Sequence, residues 1–137
     1  LEKMYRAYGA EFTEEISALE AGMERFIDLS RDFIGCNNIK ERQTKGVETK
    51  LAYLIFDDQI PAECFGNEAV FADNQLSGII TSGAYGHRVG HSIAFAYLNP
   101  EHCKEGVSLT VETALGSRNC HVSMNASYDQ DNIKLRS

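Results

Sequence analysis

Two histidines four residues apart, His87 and His91, with Arg88 beside the first, carry the most suggestive chemistry in this 137-residue chain. On a helix, that histidine spacing would present two metal ligands from one face. Gly86 and Gly90 bracket the pair and disfavour a helix, and no third ligand stands at a matched spacing. Ordinary loop histidines are the plainer reading. His102-Cys103 and Cys120-His121 raise the same question. Strand neighbours point to opposite faces, so Cys120 and His121 cannot both serve one centre. No metal site is therefore expected. Arg88 is the best anion-facing group, because a guanidinium grips a carboxylate bidentately; the plainer alternative is a solvated loop arginine. A Cys/His nucleophile would need an activated thiol, and nothing local activates Cys36, Cys64, Cys103 or Cys120. The chain has no Walker loop, no GxGxxG opening a helix and no GxSxG. No catalytic residue is assigned.

The elements that must position Arg88 and its neighbours lie in residues 76–98. Leu76 to Ser82 reads as a strand, Gly83 to Gly90 as a glycine-punctuated corner, and Ser92 to Leu98 as a second, more apolar strand. Gly83, Gly86 and Gly90 allow a sharp turn or a close approach there. Ser82, Tyr85, His87, Arg88 and His91 fall on that corner, the kind of loop on a rigid frame where a ligand-facing surface is built.

The remaining sequence divides at Gly46, where the hydrophobic period changes from helical to strand-like. Before it, Tyr5 and Tyr8 have the spacing of a packing stripe on one helical turn. Ser17-Ala18-Leu19-Glu20 is a capping-box pattern that predicts a short helix from Ala18 to about Met23. Phe33-Ile34-Gly35 reads as a buried knuckle, and Asn38 as the cap of a polar helix ending near Lys45, with Gly46 as its C-terminal glycine. After it, Lys50 to Phe56 is apolar on both faces, as in a strand covered on two sides. Ala69 to Ala72 is a short strand, Asp73-Asn74 a turn, and Val107, Leu109 and Val111 alternate with polar residues. Leu115 to Ser117 predicts a hairpin turn, and Asn119 to Met124 the returning strand. The expected fold is α+β: a short helical segment, residues 1–46, followed by a small antiparallel six-stranded β-barrel, residues 47–137.

Composition bounds the function. With 43% hydrophobic residues and 2 prolines the chain is globular. A formal charge of −7, with no basic cluster, argues against nucleic acid and against an anionic membrane surface. No run has the length of a transmembrane helix, and the N-terminus is not a signal peptide. Four scattered cysteines with no CxxC suit reduced thiols in a cytoplasm or mitochondrial matrix. Leu1 stands where Met would begin a complete chain, already inside what reads as a regular element, so a fragment is expected.

Four motifs in order carry a resemblance: Leu1-Glu2-Lys3-Met4-Tyr5-Arg6-Ala7-Tyr8-Gly9-Ala10-Glu11, then Leu19-Glu20-Ala21-Gly22-Met23, then Asp32-Phe33-Ile34-Gly35, then Thr81-Ser82-Gly83-Ala84-Tyr85-Gly86-His87. Together they resemble the C-terminal part of the glycine-cleavage T-protein (aminomethyltransferase) superfamily over nearly the whole chain. Glu2-Lys3, Tyr5 to Gly9, and Tyr85-Gly86-His87 after Thr81-Ser82-Gly83 look like the dimethylglycine and sarcosine dehydrogenase branch. The aminomethyltransferases proper carry a Ser-Pro in the second of those places, and this chain does not. The resemblance implies that residues 1–46 end a folate-binding region and that residues 47–137 form the C-terminal barrel.

In that branch a flavin (FAD) domain oxidises an N-methyl amine, and the T-protein-like part transfers the one-carbon unit to tetrahydrofolate. The catalytic aspartate and most pterin contacts would then lie upstream of Leu1, leaving this chain inactive alone. The resemblance implies folate contacts from Tyr85, His87 and Arg88, with Tyr128 weaker. A glycine cleavage aminomethyltransferase, with a lipoyl carrier protein as partner, and a folate-dependent demethylase without flavin are the alternatives within the superfamily. A non-catalytic barrel serving as an interaction module is the alternative of another class.

Overall fold

The computed structural model describes residues 1–61 and 64–136. The strand-like runs after Gly46 form β1 (Lys50–Phe56), β2 (Ala69–Ala72), β3 (Gln75–Gly86), β4 (His91–Leu98), β5 (Ser108–Thr113) and β6 (Gly116–Ser123). Their order is β1-β4-β3-β2-β5-β6, every pair is antiparallel, and β1 also pairs with β6, which closes the barrel. Ahead of it lies helix α1 (Cys36–Lys45), and α2 (Ile133–Arg136) ends the chain. The expected six-stranded antiparallel barrel after a short helical segment is what forms. Among the described residues no helix is long and apolar enough to cross a membrane.

The apolar runs of β1 and β4 are apolar on both faces because both faces are covered. Ala52, Leu54 and Phe56 of β1 and Ala94, Ala96 and Leu98 of β4 point into the barrel, where Val70, Ile80, Leu109, Val111, Cys120 and Val122 complete the core. The alternate residues, Leu51, Tyr53, Ile93, Phe95 and Tyr97, face outward and form a second core with Leu1, Met4 and Ile16. The N-terminal segment thus lies across the outer wall of β1 and β4. β5 has water on its other side and keeps strict alternation, with Leu109 and Val111 in and Ser108 and Glu112 out.

The structure changes several local expectations. The corner of the β3–β4 hairpin spans only residues 87–90, because β3 continues through Gly83 and Gly86. Those two glycines do not turn the chain; they admit neighbours. A Cβ on Gly83 would lie 2.5 Å from the Cβ of Cys64, and one on Gly86 2.5 Å from Cγ2 of Val89. The turn itself falls at Gly90, with φ 76°. At the β2–β3 hairpin, Asp73 (φ 47°) and Asn74 (φ 64°) are both left-handed, the two-residue turn that matches strand twist. The β5–β6 turn falls at Ala114 and Leu115, ahead of the expected Leu115 to Ser117, so β6 already begins at Gly116.

In the N-terminal segment the capping box forms, but the helix does not continue. Ser17 N–H donates to Glu20 Oε2 at 2.8 Å and Glu20 N–H to Ser17 Oγ at 3.3 Å. Gly22 then turns left-handed at φ 66° and stops the element after one turn. Helix α1 starts behind Gly35 (φ 90°) rather than at Asn38, and no side chain caps it. Gly46 ends it at the expected place, its N–H bonded to the Arg42 carbonyl at 2.8 Å, but at φ 88° and ψ 173° it is not the αL glycine expected there. Phe33 and Ile34 are exposed, not a buried knuckle, and Tyr5 and Tyr8 are exposed, not a packing stripe. Their apolar spacing is real; nothing among the described residues covers them.

Of the described glycines, Gly78 meets its neighbouring strand most closely, since a Cβ there would sit 1.9 Å from the Tyr97 carbonyl oxygen. Gly78→Ala is expected to cost about 3 kcal/mol or more in urea unfolding. Gly90→Ala, at a left-handed turn with open space for a Cβ, costs about 1 to 2 kcal/mol. Equal losses would contradict the close approach of β3 and β4.

Candidate functional site

The site is built where the N-terminal segment meets the β3–β4 hairpin. β3 slips by one residue against β4 at Thr81, between the pairs Ile80–Ala96 and Ser82–Phe95. In a regular strand, Thr81 and Ser82 would face opposite ways. The bulge re-aims them, so that both hydroxyls donate to one oxygen, Glu11 Oε1, at 2.8 and 2.5 Å. The other oxygen accepts the Ala7 N–H at 2.8 Å. The Glu11 backbone carbonyl accepts the Tyr97 hydroxyl at 2.7 Å. Glu11 is fully buried. Its three donors are what make that burial tolerable.

Above the bulge, the hairpin tip carries the sequence-selected residues in two adjoining pairs. Tyr85 and His87 meet edge to face, with ring centroids 5.2 Å apart, and the Tyr85 hydroxyl donates to the Gly90 carbonyl at 3.2 Å. The Arg88 guanidinium lies 5.2 Å from the centroid of the Tyr128 ring. Lys134 approaches that ring at 4.8 Å. Glu2 holds the tip and tail together: its Oε1 accepts the Arg88 N–H at 2.7 Å, and its carbonyl the Tyr128 N–H at 3.0 Å. Lys3 adds an ion pair to Asp129 at 2.8 Å. Arg88 and His87 are exposed, whereas Tyr85 and Tyr128 are half-buried. Tyr128, distant in sequence, therefore does join Arg88. Glu2 and Glu11, which do the holding, were not selected from the sequence as site residues.

The other candidates are dispersed. His91 Nδ1 lies 2.9 Å from the Phe56 carbonyl, and His102 Nδ1 2.7 Å from Ser77 Oγ. Cys120 points into the barrel while His121 points out to Asp57, Nδ1 to Oδ1 at 2.7 Å, so the two do face opposite ways. Among the described residues no group of three or more His, Cys, Asp or Glu side chains could hold a metal. Burial pushes the Cys64 and Cys103 thiols up to about 11 and Cys120 up to about 12, which leaves them protonated and unreactive at neutral pH. Glu20 is engaged as a clamp: besides capping, it accepts from Arg42 Nη1 at 3.2 Å, and its carbonyl accepts the Leu51 N–H at 2.8 Å. The arrangement offers cationic and aromatic surface for holding a ligand.

Residues 50–129 match the family model of the glycine cleavage T-protein C-terminal barrel domain. The chain is 36% identical over 115 residues to mitochondrial dimethylglycine dehydrogenase of Mus musculus, covering 82% of this chain and 13% of that protein. It is 30% identical over 122 residues to a probable aminomethyltransferase of Pyrococcus horikoshii, covering 82% of this chain and 30% of the other. The crystal structure of glycine cleavage system aminomethyltransferase T from Bartonella henselae has the same fold, with a TM-score of 0.84 at 18% identity, over 94% of this chain and 37% of that one. The chain thus spans less than a third of the length of these curated relatives.

Two outcomes follow from this geometry. Glu11→Leu strands the Thr81 and Ser82 hydroxyls and the Ala7 N–H, and is expected to lower stability by about 3 kcal/mol in urea unfolding. A loss below about 1 kcal/mol would mean that water replaces the carboxylate. For the half-buried Cys103, the raised thiol pKa means that the reactive thiolate is scarce below pH 11. Its alkylation by iodoacetamide, followed by peptide mass spectrometry, is expected to rise about tenfold per pH unit from pH 8 to 10 without a plateau. A plateau in that window would show an activated thiol.

Proposed function

The chain belongs to the glycine cleavage T-protein C-terminal barrel family, and from that premise we propose that it is the C-terminal part of a tetrahydrofolate-dependent one-carbon transfer enzyme. We place it in the flavin-dependent dimethylglycine and sarcosine dehydrogenase branch, which demethylates N-methyl amines. The observation that carries the branch is the 36% identity to dimethylglycine dehydrogenase over 82% of the chain. In this reading residues 1–46 end the folate-binding region and residues 47–137 are the barrel. Tyr8, Phe33 and Ile34, all exposed and all within residues 1–46, support a larger body packed against that segment. Its location would be the mitochondrial matrix, or the cytoplasm of a bacterium.

The residues at the hairpin tip fit folate, whose tail joins an aromatic ring to carboxylates. Arg88 is exposed and oriented by the Tyr128 ring, so its guanidinium is free to receive a carboxylate at the edge of the aromatic surface formed by Tyr85 and His87. When bound, folate accepts the one-carbon unit. This chain's part is to hold the tail and cover it. The aspartate that does the chemistry, and the FAD that accepts electrons from the methylated amine, belong to sequence outside this chain.

The second reading is a glycine cleavage aminomethyltransferase with a lipoyl carrier protein as partner, favoured by the 30% identity to the Pyrococcus horikoshii protein. The two are separated by purifying the complete native polypeptide from its source. A flavin spectrum bleached by dimethylglycine or sarcosine is expected. A flavin-free protein of about T-protein length would favour the second reading instead. In that polypeptide Arg88→Ala is expected to weaken tetrahydrofolate binding about tenfold, or about 1.4 kcal/mol. Unchanged affinity would remove Arg88 from the folate site.

A further inference from the structure

A cleft of about 550 Å³ lies where residues 3–6 meet residues 22–26 and residues 124–132. It shares no lining residue with the Tyr85, His87, Arg88 and Tyr128 cluster. Among the described residues three cations line it, Lys3, Arg6 and Arg25, and no aspartate or glutamate does, in a chain of formal charge −7. Lys3 is satisfied by Asp129. Arg6 is not. Its Nε is buried without a hydrogen-bond partner, and among the described residues it enters no ion pair.

The surroundings do not repair this. Partial burial and the Arg25 charge act against the guanidinium; Tyr97, Glu24 and Glu11 act in its favour. Both Glu11 oxygens are occupied by Ala7, Thr81 and Ser82, and Glu24 pairs with Lys50 at 3.6 Å. Arginine does not lose its proton in proteins, so the fold carries the cost of a partly buried, unpaired cation beside another cation. A bound anion relieves both. The other lining side chains mix the polar Asn125, Gln130 and Asn132 with the apolar Phe12, Met23 and Phe26, and Arg25 lies over the Phe26 ring at 4.6 Å. A wholly polar anion would leave those rings and thioethers against water. A carboxylate on an aromatic ring would match both halves of the cleft.

We propose that this cleft is a binding site for a small aromatic carboxylate, whose carboxylate bridges Arg6 and Arg25 and whose ring packs on Phe12, Met23 and Phe26. The proposal does not rest on the folate reading of the hairpin tip. Calorimetric titration of the chain with benzoate, benzamide and inorganic phosphate tests it. Saturable 1:1 benzoate binding is expected, at least about tenfold tighter than benzamide or phosphate, since only benzoate brings both the charge and the ring. Arg6→Gln should weaken benzoate about tenfold, Arg25→Gln a few-fold, and Arg88→Gln should leave it unchanged. Equal affinity for benzamide would mean a merely apolar cleft, and tighter phosphate a merely cationic one; either overturns the proposal. So does an absence of saturable binding, or a loss on Arg88→Gln matching that on Arg6→Gln. If Arg6→Gln does not fold, the exposed Arg25→Gln decides.

Discussion

Everything on the outer wall of this barrel depends on one buried carboxylate. Glu11 can stay out of water's reach because three donors converge on it, two from adjacent residues of a single strand. Adjacent strand residues can converge only at a bulge, so the slip at Thr81 and the burial of Glu11 are one feature seen from two sides. Through the Tyr97 hydroxyl the same residue reaches the next strand. The polar bond network and the apolar contacts of Leu1, Met4 and Ile16 hold the same segment against the same wall. Neither would place it alone: the apolar contacts set no register, and the carboxylate without the covering segment would face water.

That arrangement explains why β4 is buried along nearly its whole length although the barrel is small. A six-stranded barrel has a narrow interior, filled here partly by alanines, Ala52, Ala94 and Ala96. The large outward residues, Tyr53, Phe95 and Tyr97, would otherwise form an exposed aromatic face. The segment that covers it also delivers Glu2 to the hairpin tip, and so sets the backbone position of Arg88 and Tyr128. The ligand-facing cluster is thus positioned by covering chain as much as by strands.

The barrel was legible because its signals are local. Two-residue alternation in β5, two-sided apolarity in β1 and the Asp73-Asn74 turn each lie within a few consecutive residues. The N-terminal segment was not, because its residues answer to partners far along the chain. Glu11 reads as one more acidic residue until Thr81 and Ser82, seventy residues on, are brought to it. Tyr5, Tyr8, Phe33 and Ile34 have core-like composition, yet composition does not tell which surface they meet. At the site, Tyr85, His87 and Arg88 could be picked out as neighbours on a glycine-rich hairpin. Their link to Tyr128 came through resemblance to a family and not from spacing.

Closure of the barrel also constrains the order in which the polypeptide can mature as it leaves the ribosome. β1 must pair on one side with β4 and on the other with residues Cys120 to Ser123 of β6. Its second edge therefore stays unmet until β6 has been made, and pairing across such sequence separations is slow. During that interval the emerging chain presents an open apolar sheet, which is when chaperone protection matters most. In the finished cylinder each of the six described strands is paired on both edges, so a hazard of translation disappears in the mature molecule.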